Sequence, residues 1–128
     1  MLHGEAGVRE LAMGINALAN RMRTGDVQID DVEGGTFTIS NTGSRGSDFD
    51  TPILNWPEVA ILAVPAIRRY PVWHEERSEA GAFLPQWSTI LCLTYDHQVA
   101  DGADAARFLN LIGRNLANMD LDREVGAS

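Results

Sequence analysis

The sequence predicts an α/β protein of the two-layer, α+β kind, with one mixed sheet and helices on one face. Apolar residues recur at helical spacing near both ends of the chain: Val8, Leu11, Ala12, Ile15, Leu18, Ala19 and Met22, then Ala106, Phe108, Leu109, Ile112 and Leu116. Between these stripes lie short runs of β-branched and aromatic residues, too short to be helices. A helix, a strand-rich middle and a closing helix bury both stripes most simply against one face of a sheet. At 128 residues the chain is expected to form one domain, long enough to bury a core.

The elements follow in order. The first stripe predicts a helix over residues 7–23, with Gly25 as a left-handed cap. A polar link, 26–34, leads to a strand over 36–40. Residues 41–50, rich in Gly, Ser and Asp, form an ordered loop. The run Val-Ala-Ile-Leu-Ala-Val at 59–64 has the composition of a strand buried on both faces, with Pro65 ending its pairing or marking an edge. Residues 70–76 form one hairpin arm, the turn includes 78–81, and 89–95 is expected as the returning strand. Residues 103–118 close the chain as a helix, and the polar 120–128 is expected to fray.

Composition narrows the function. A net charge of −8 disfavours nucleic acid and anionic membrane surfaces, which need a basic face. No apolar stretch reaches the roughly 18 residues of a membrane span, and the first residues lack the pattern of a secretory signal. A single cysteine, Cys92, excludes an internal disulfide framework and suits a reducing cytoplasm. Within its apolar strand Cys92 is expected as a small buried hydrophobe rather than an acyl carrier. His3, His74 and His97 show no ligand spacing, so no metal is expected. Residues 43–47 lack the Gly-Lys-Ser/Thr of a phosphate loop. Trp56, Trp73 and Trp87 are expected in core or interface packing rather than in a cofactor box.

The sharpest feature is His97, between a buried strand and a helix, with Asp101 four residues on and Gly102 next. Loops at strand ends display reactive groups, and an imidazole there can take a proton near neutral pH. By themselves these residues are a weak signal and favour a loop histidine and a helix N-cap aspartate. Their surroundings tip the balance. Gly34-Gly35-Thr36-Phe37-Thr38-Ile39-Ser40-Asn41-Thr42-Gly43 is followed by Phe49-Asp50-Thr51-Pro52-Ile53-Leu54-Asn55 and Pro57-Glu58-Val59-Ala60-Ile61-Leu62. Then come Leu93-Thr94-Tyr95-Asp96-His97 and Asp101-Gly102-Ala103-Asp104-Ala105-Ala106-Arg107-Phe108-Leu109. In order and spacing these blocks resemble the catalytic domain of the dihydrolipoamide acyltransferases of 2-oxo acid dehydrogenase complexes. That family shares a His-x-x-x-Asp-Gly signature with chloramphenicol acetyltransferase.

The resemblance runs from Val8 to Leu116 and implies about half of a chloramphenicol acetyltransferase-like fold, the C-terminal half. It implies an acyltransferase that moves an acyl group from a thioester, acyl-CoA or an acyl carrier, to a thiol or hydroxyl. His97 would be the general base, Ser40 a donor to the oxyanion, and Asp101 a residue shaping the catalytic loop. CoA thioester would be a co-substrate with no covalently bound cofactor, and Arg45, Arg68 and Arg69 are candidates for its phosphates. The family's site lies between subunits of a trimer, histidine on one and hydroxyl on the other. A homotrimer is therefore implied, or else a partner chain supplying the absent N-terminal half, with apolar surface awaiting it. Gln98 departs from the arginine usual at that position. The lack of a lipoyl domain argues against the core of a giant dehydrogenase assembly. An assembly subunit without activity, or a fold recruited for decarboxylation or dehydration of thioesters, stays open as an alternative.

Overall fold

The computed structural model describes residues 7–77, 81–120 and 124. The chain divides into two compact units, Met1–Thr36 with Asn110–Ser128, and Phe37–Leu109.

In the first unit α1 spans Val8–Thr24 and ends at Gly25, whose φ of 79° is left-handed and whose N–H donates to the Arg21 carbonyl. Glycine is favoured there because a Cβ strains that conformation. The link after it is not wholly irregular: α2, Ile29–Val32, is one helical turn. Arg21 reaches Asp31 on that turn at 2.6 Å, and Asp31 also accepts the Gln28 N–H at 3.0 Å. That backbone hydrogen bond, ahead of the Arg21 charge, lowers the Asp31 pKa.

The second unit is built on a three-stranded sheet, β1 (Thr38–Asn41), β2 (Ala60–Val64) and β5 (Cys92–Tyr95), in the order β1-β2-β5. β1 runs parallel to β2, and β5 antiparallel to it. The central strand explains the core: Ile61, Leu62 and Ala63 are buried, followed by Pro65 and Ala66. The apolar run read as a doubly buried strand is this central one, and Pro65 stands just past its last paired residue.

The parallel pairing of β1 with β2 requires a long crossover, and residues 42–59 supply it with a single 3-10 turn, Gly43–Arg45, and no α-helix. Hydrogen bonds hold it in place. Asp50 accepts from Thr42 and from Ser47 (2.7 Å), and Arg68 engages Asp48 and the Gly46 carbonyl (2.9 Å). Thr94 on β5 donates to the Pro52 carbonyl at 2.7 Å.

The hairpin departs from expectation. β3 (Arg68–His74) pairs not with 89–95 but with β4 (Ala82–Ser88), a strand the pattern did not reveal, while β5 joins β2. Prolines argue against central strands, and β4 carries Pro85; in a two-stranded ribbon each strand has a free edge, so the Pro71–Pro85 pair is tolerated. Of the expected turn, 78–80 lie outside the described residues, and Gly81 has φ 74°.

α3, Gly102–Ala117, closes the described elements. The expectation that both helical stripes are buried is corrected. No residue of α1 or α3 is fully buried, and Ile15, Met22 and Leu116 are each more than half exposed.

Candidate functional site

β5 delivers the His97 loop. Tyr95 is its last residue, paired with Ala60, and the Asp96 N–H still donates to the Val59 carbonyl at 2.8 Å. The chain then turns sharply. The Asp96 carbonyl accepts the N–H groups of Val99 and Ala100 at 3.0 and 3.1 Å, and its side chain accepts that of Gln98 at 2.8 Å. An aspartate whose side chain bonds the backbone two residues on is a local turn former. His97 sits at the crest of this turn, exposed to solvent. Its imidazole makes no hydrogen bond among the described residues and lies 5.6 Å from the Tyr95 ring, centroid to centroid, with the planes 43° apart.

Asp101 closes the loop as the N-cap of α3. Its Oδ1 accepts from the N–H groups of Ala103 (2.8 Å) and Asp104 (2.9 Å), and Asp104 returns an acceptor to the Asp101 N–H at 3.3 Å. The N–H groups of Asp104 and Ala103 lower the Asp101 pKa, so the carboxylate is the bound form. Capping and shaping the loop are one role here: the residue that starts the helix also ends the His97 turn.

Ser40 is on β1, half-buried, and the sheet register locates it against His97. Ser40 is level with Ala63, and Ala63 with Cys92, whereas Tyr95 is level with Ala60. Three residues of strand separate those rows, about 10 Å at the usual rise. Ser40 thus lies at one end of the sheet and His97 past the other. The fold brings Asp101 to the His97 loop but does not bring Ser40 to His97 within one chain.

Beside the loop an open apolar cavity of about 240 Å³ lies between the sheet and the first turns of α3. Tyr95 and Ala100, flanking His97 in sequence, line it with Phe37, Ala60, Leu93 and Phe108. Phe37 and Phe108 meet across it with centroids 5.7 Å apart.

The remaining candidates are distributed elsewhere. Arg68 is committed to Asp48, which raises its pKa, and Arg69 lies over the Trp87 ring at 5.8 Å. Arg45, on the turn Gly43–Arg45 just after β1, has no acidic partner among the described residues. Cys92 is half-buried rather than buried, because it opens an edge strand. The tryptophans are not core: Trp56 is 88% exposed, and Trp73 and Trp87 stand on the open face of the ribbon. His3 lies outside the described residues, and His74 faces Glu76 at 3.3 Å. Among the described residues no group of three His, Cys, Asp or Glu could hold a metal ion, and no helix is long and apolar enough to cross a membrane. Sequence reasoning gave Asp96 and Tyr95 no roles. An aspartate two before Gln98 was the available sign of the turn; the Tyr95 ring contact had none.

Comparison with known proteins places this geometry. The pattern of the 2-oxoacid dehydrogenases acyltransferase (catalytic domain) matches residues 4–121. The chain is 40% identical over 123 residues to the dihydrolipoyllysine-residue acetyltransferase component of the pyruvate dehydrogenase complex of Mycobacterium bovis, covering 96% of this chain and 22% of that protein. It is similar in structure to Azotobacter vinelandii dihydrolipoamide acetyltransferase, solved to examine the role of a serine, a histidine and an asparagine in its catalytic mechanism. The TM-score is 0.81 at 40% identity, over 89% of this chain and 45% of that one. The cubic core of the pyruvate dehydrogenase multienzyme complex matches with TM-score 0.81 at 39% identity and the same coverage. The chain therefore spans less than half of the solved chains and about a fifth of the curated relative.

Proposed function

The chain belongs to the 2-oxoacid dehydrogenase acyltransferase (catalytic domain) family, and on that premise we propose that it transfers an acyl group from a CoA thioester to a thiol, with His97 as general base. The observation that carries the reading is the His97 turn itself, tied at one end to Val59, just before β2, by the Asp96 N–H and at the other to α3 by the Asp101 cap. A base on so braced a loop keeps its position while remaining open to a substrate.

In this reading the acceptor thiol gives its proton to the imidazole as its sulfur attacks the thioester carbonyl. The resulting oxyanion is held by the Ser40 hydroxyl. Collapse breaks the carbon–sulfur bond of the donor, and the departing CoA thiolate takes the proton back from the imidazolium. A free thiol titrates near pH 8.5 (an approximate reference value), so a positioned neutral imidazole raises the thiolate character at the moment of attack. No acyl-enzyme forms and no metal is used.

The separation of Ser40 from His97 favours a site shared between two copies of the chain, hence a homo-oligomer, which we assign as a trimer. Each interface then combines one copy's His97 with a neighbour's Ser40. Arg45, following the Ser40 strand and without an acidic partner among the described residues, is the candidate we assign to a CoA phosphate.

The test is acetyl transfer from acetyl-CoA to free dihydrolipoamide by the purified chain and by His97→Ala. Turnover by the wild type and its loss in a folded variant is the expected result. Equal turnover by both would remove His97 from the mechanism. No turnover by either would mean that a further polypeptide must complete the site.

A further inference from the structure

We propose that Tyr95 is the positioning residue of His97: its ring is a fixed plate that sets the direction of the imidazole. The inference rests on His97 acting as the base, but its physical content does not need that reading.

The imidazole has no hydrogen-bond partner among the described residues and stands on an exposed turn, so hydrogen bonds do not choose its rotamer. The ring it lies beside is held from several sides. Its backbone is paired with Ala60 in β5, where strand pairing fixes the Cα–Cβ direction. Its aromatic body is half-buried and lines the apolar cavity with Leu93, Ala100, Ala105 and Phe108. Its hydroxyl is close to Gly102, where an added Cβ would meet it at 3.7 Å. The ring therefore spans the His97 loop from its first residue to the start of α3.

A mobile imidazole meeting such a ring gains a tilted aromatic contact, and the attraction strengthens once the imidazole carries the proton taken from the thiol. Both effects favour one orientation over the freely rotating alternatives. Loss of the ring leaves the base present but poorly aimed, which lowers kcat and spares KM. The hydroxyl, by contrast, has no partner that the argument requires.

The deciding experiment compares wild type, Tyr95→Phe and Tyr95→Leu by NMR and, in parallel, by steady-state transfer. In the wild type and in Tyr95→Phe the His97 ring protons are displaced by the aromatic ring current and show cross-relaxation with the residue-95 ring. In Tyr95→Leu they move to the positions of an exposed histidine while the other amide signals stay in place. The leucine variant loses roughly ten- to hundredfold in kcat at unchanged KM, the size expected for misplacing a reacting group, and phenylalanine restores it. Absence of the cross-relaxation in the wild type overturns the proposal without any variant, so an unfolded leucine variant does not shield it. A phenylalanine variant as damaged as leucine, or a leucine variant with wild-type kcat, also overturns it. A chain without transfer activity would leave the site to be completed by a further polypeptide, and the ring-proton measurement would still decide this proposal.

Discussion

Asp101 and Asp104 exchange backbone hydrogen bonds across the first turn of α3, each side chain accepting the other's N–H. This reciprocal cap fixes where the helix starts and therefore where the His97 loop ends. Asp101→Ala removes the acceptor for two N–H groups and is expected to lower the melting temperature by several degrees, whereas Asp101→Asn, an equally good cap, costs little. Because the hydrogen bonds lower the carboxyl's folded pKa, its contribution is complete above about pH 4 and is lost as pH falls through the lowered value. Thermal melts of both variants between pH 7 and pH 3 check this: the advantage of wild type over alanine should shrink in acid.

The separation of Ser40 and His97 along the sheet predicts complementation in trans. On the proposed mechanism Ser40→Ala, which removes the proposed oxyanion donor, should reduce kcat by about 10²–10³, and His97→Ala should abolish turnover. When the two inactive proteins are unfolded, mixed in equal amounts and refolded, random assembly restores about one quarter of the sites of a homo-oligomer with isologous or cyclic exchange. Recovered activity measures this directly. A mixture no more active than its parents would require the two residues to act within one chain.

Local chemistry made some of this legible and long-range pairing hid the rest. Gly25 ends α1 because its φ is positive, a demand one residue meets, and the run at 59–64 reads as buried because every position is apolar. β4 escaped detection because Pro85 breaks the appearance of a strand, although a ribbon's free edge accepts it. The partner of β5 was misassigned for a related reason: with β4 unseen, the only run available to return from β3 was 89–95. At the site, His97 stands out by its place between strand and helix, whereas Asp101 and Ser40 are legible only through the family resemblance. Their mutual distance is not legible, since it depends on the register of β1 with β2 and of β2 with β5. The contact of Tyr95 with His97 depends on how one turn folds back, and spacing carries no sign of that.

Gly43 predicts how the loop after Ser40 is held. A Cβ there would lie 2.9 Å from the Pro65 carbonyl oxygen, part of a fully buried proline that cannot yield. Gly43→Ala is expected to destabilise the fold by about 1–3 kcal/mol, the range for overpacking a fitted site. Urea unfolding followed by fluorescence gives the difference. An alanine variant as stable as wild type would mean that this loop moves freely against β2.

The ribbon supplies the surface on which a second copy could seat. The pairs Arg69–Trp87, Pro71–Pro85 and Trp73–Phe83 share one face of it, and all six residues are exposed, Trp87 by 68% and Phe83 by 69%. The opposite face carries Val72 and Leu84, both half-buried. A lone two-stranded ribbon is marginal in water, and a contiguous apolar face rimmed by charge marks an interaction site. Gly81 adds a constraint, since a Cβ at its φ of 74° would overlap the Trp73 indole, so Gly81→Ala should displace that ring and disturb the same face. The ribbon starts at Arg68, which grips the loop following Ser40, so a copy docked on it approaches the Ser40 end of the sheet. The double variant Trp87→Glu, Phe83→Glu is therefore expected to sediment as a monomer with an unchanged circular dichroism spectrum. It should also lose acyl transfer, because the proposed shared site would come apart with the oligomer. An oligomer that persists in the double variant would take the ribbon out of the interface.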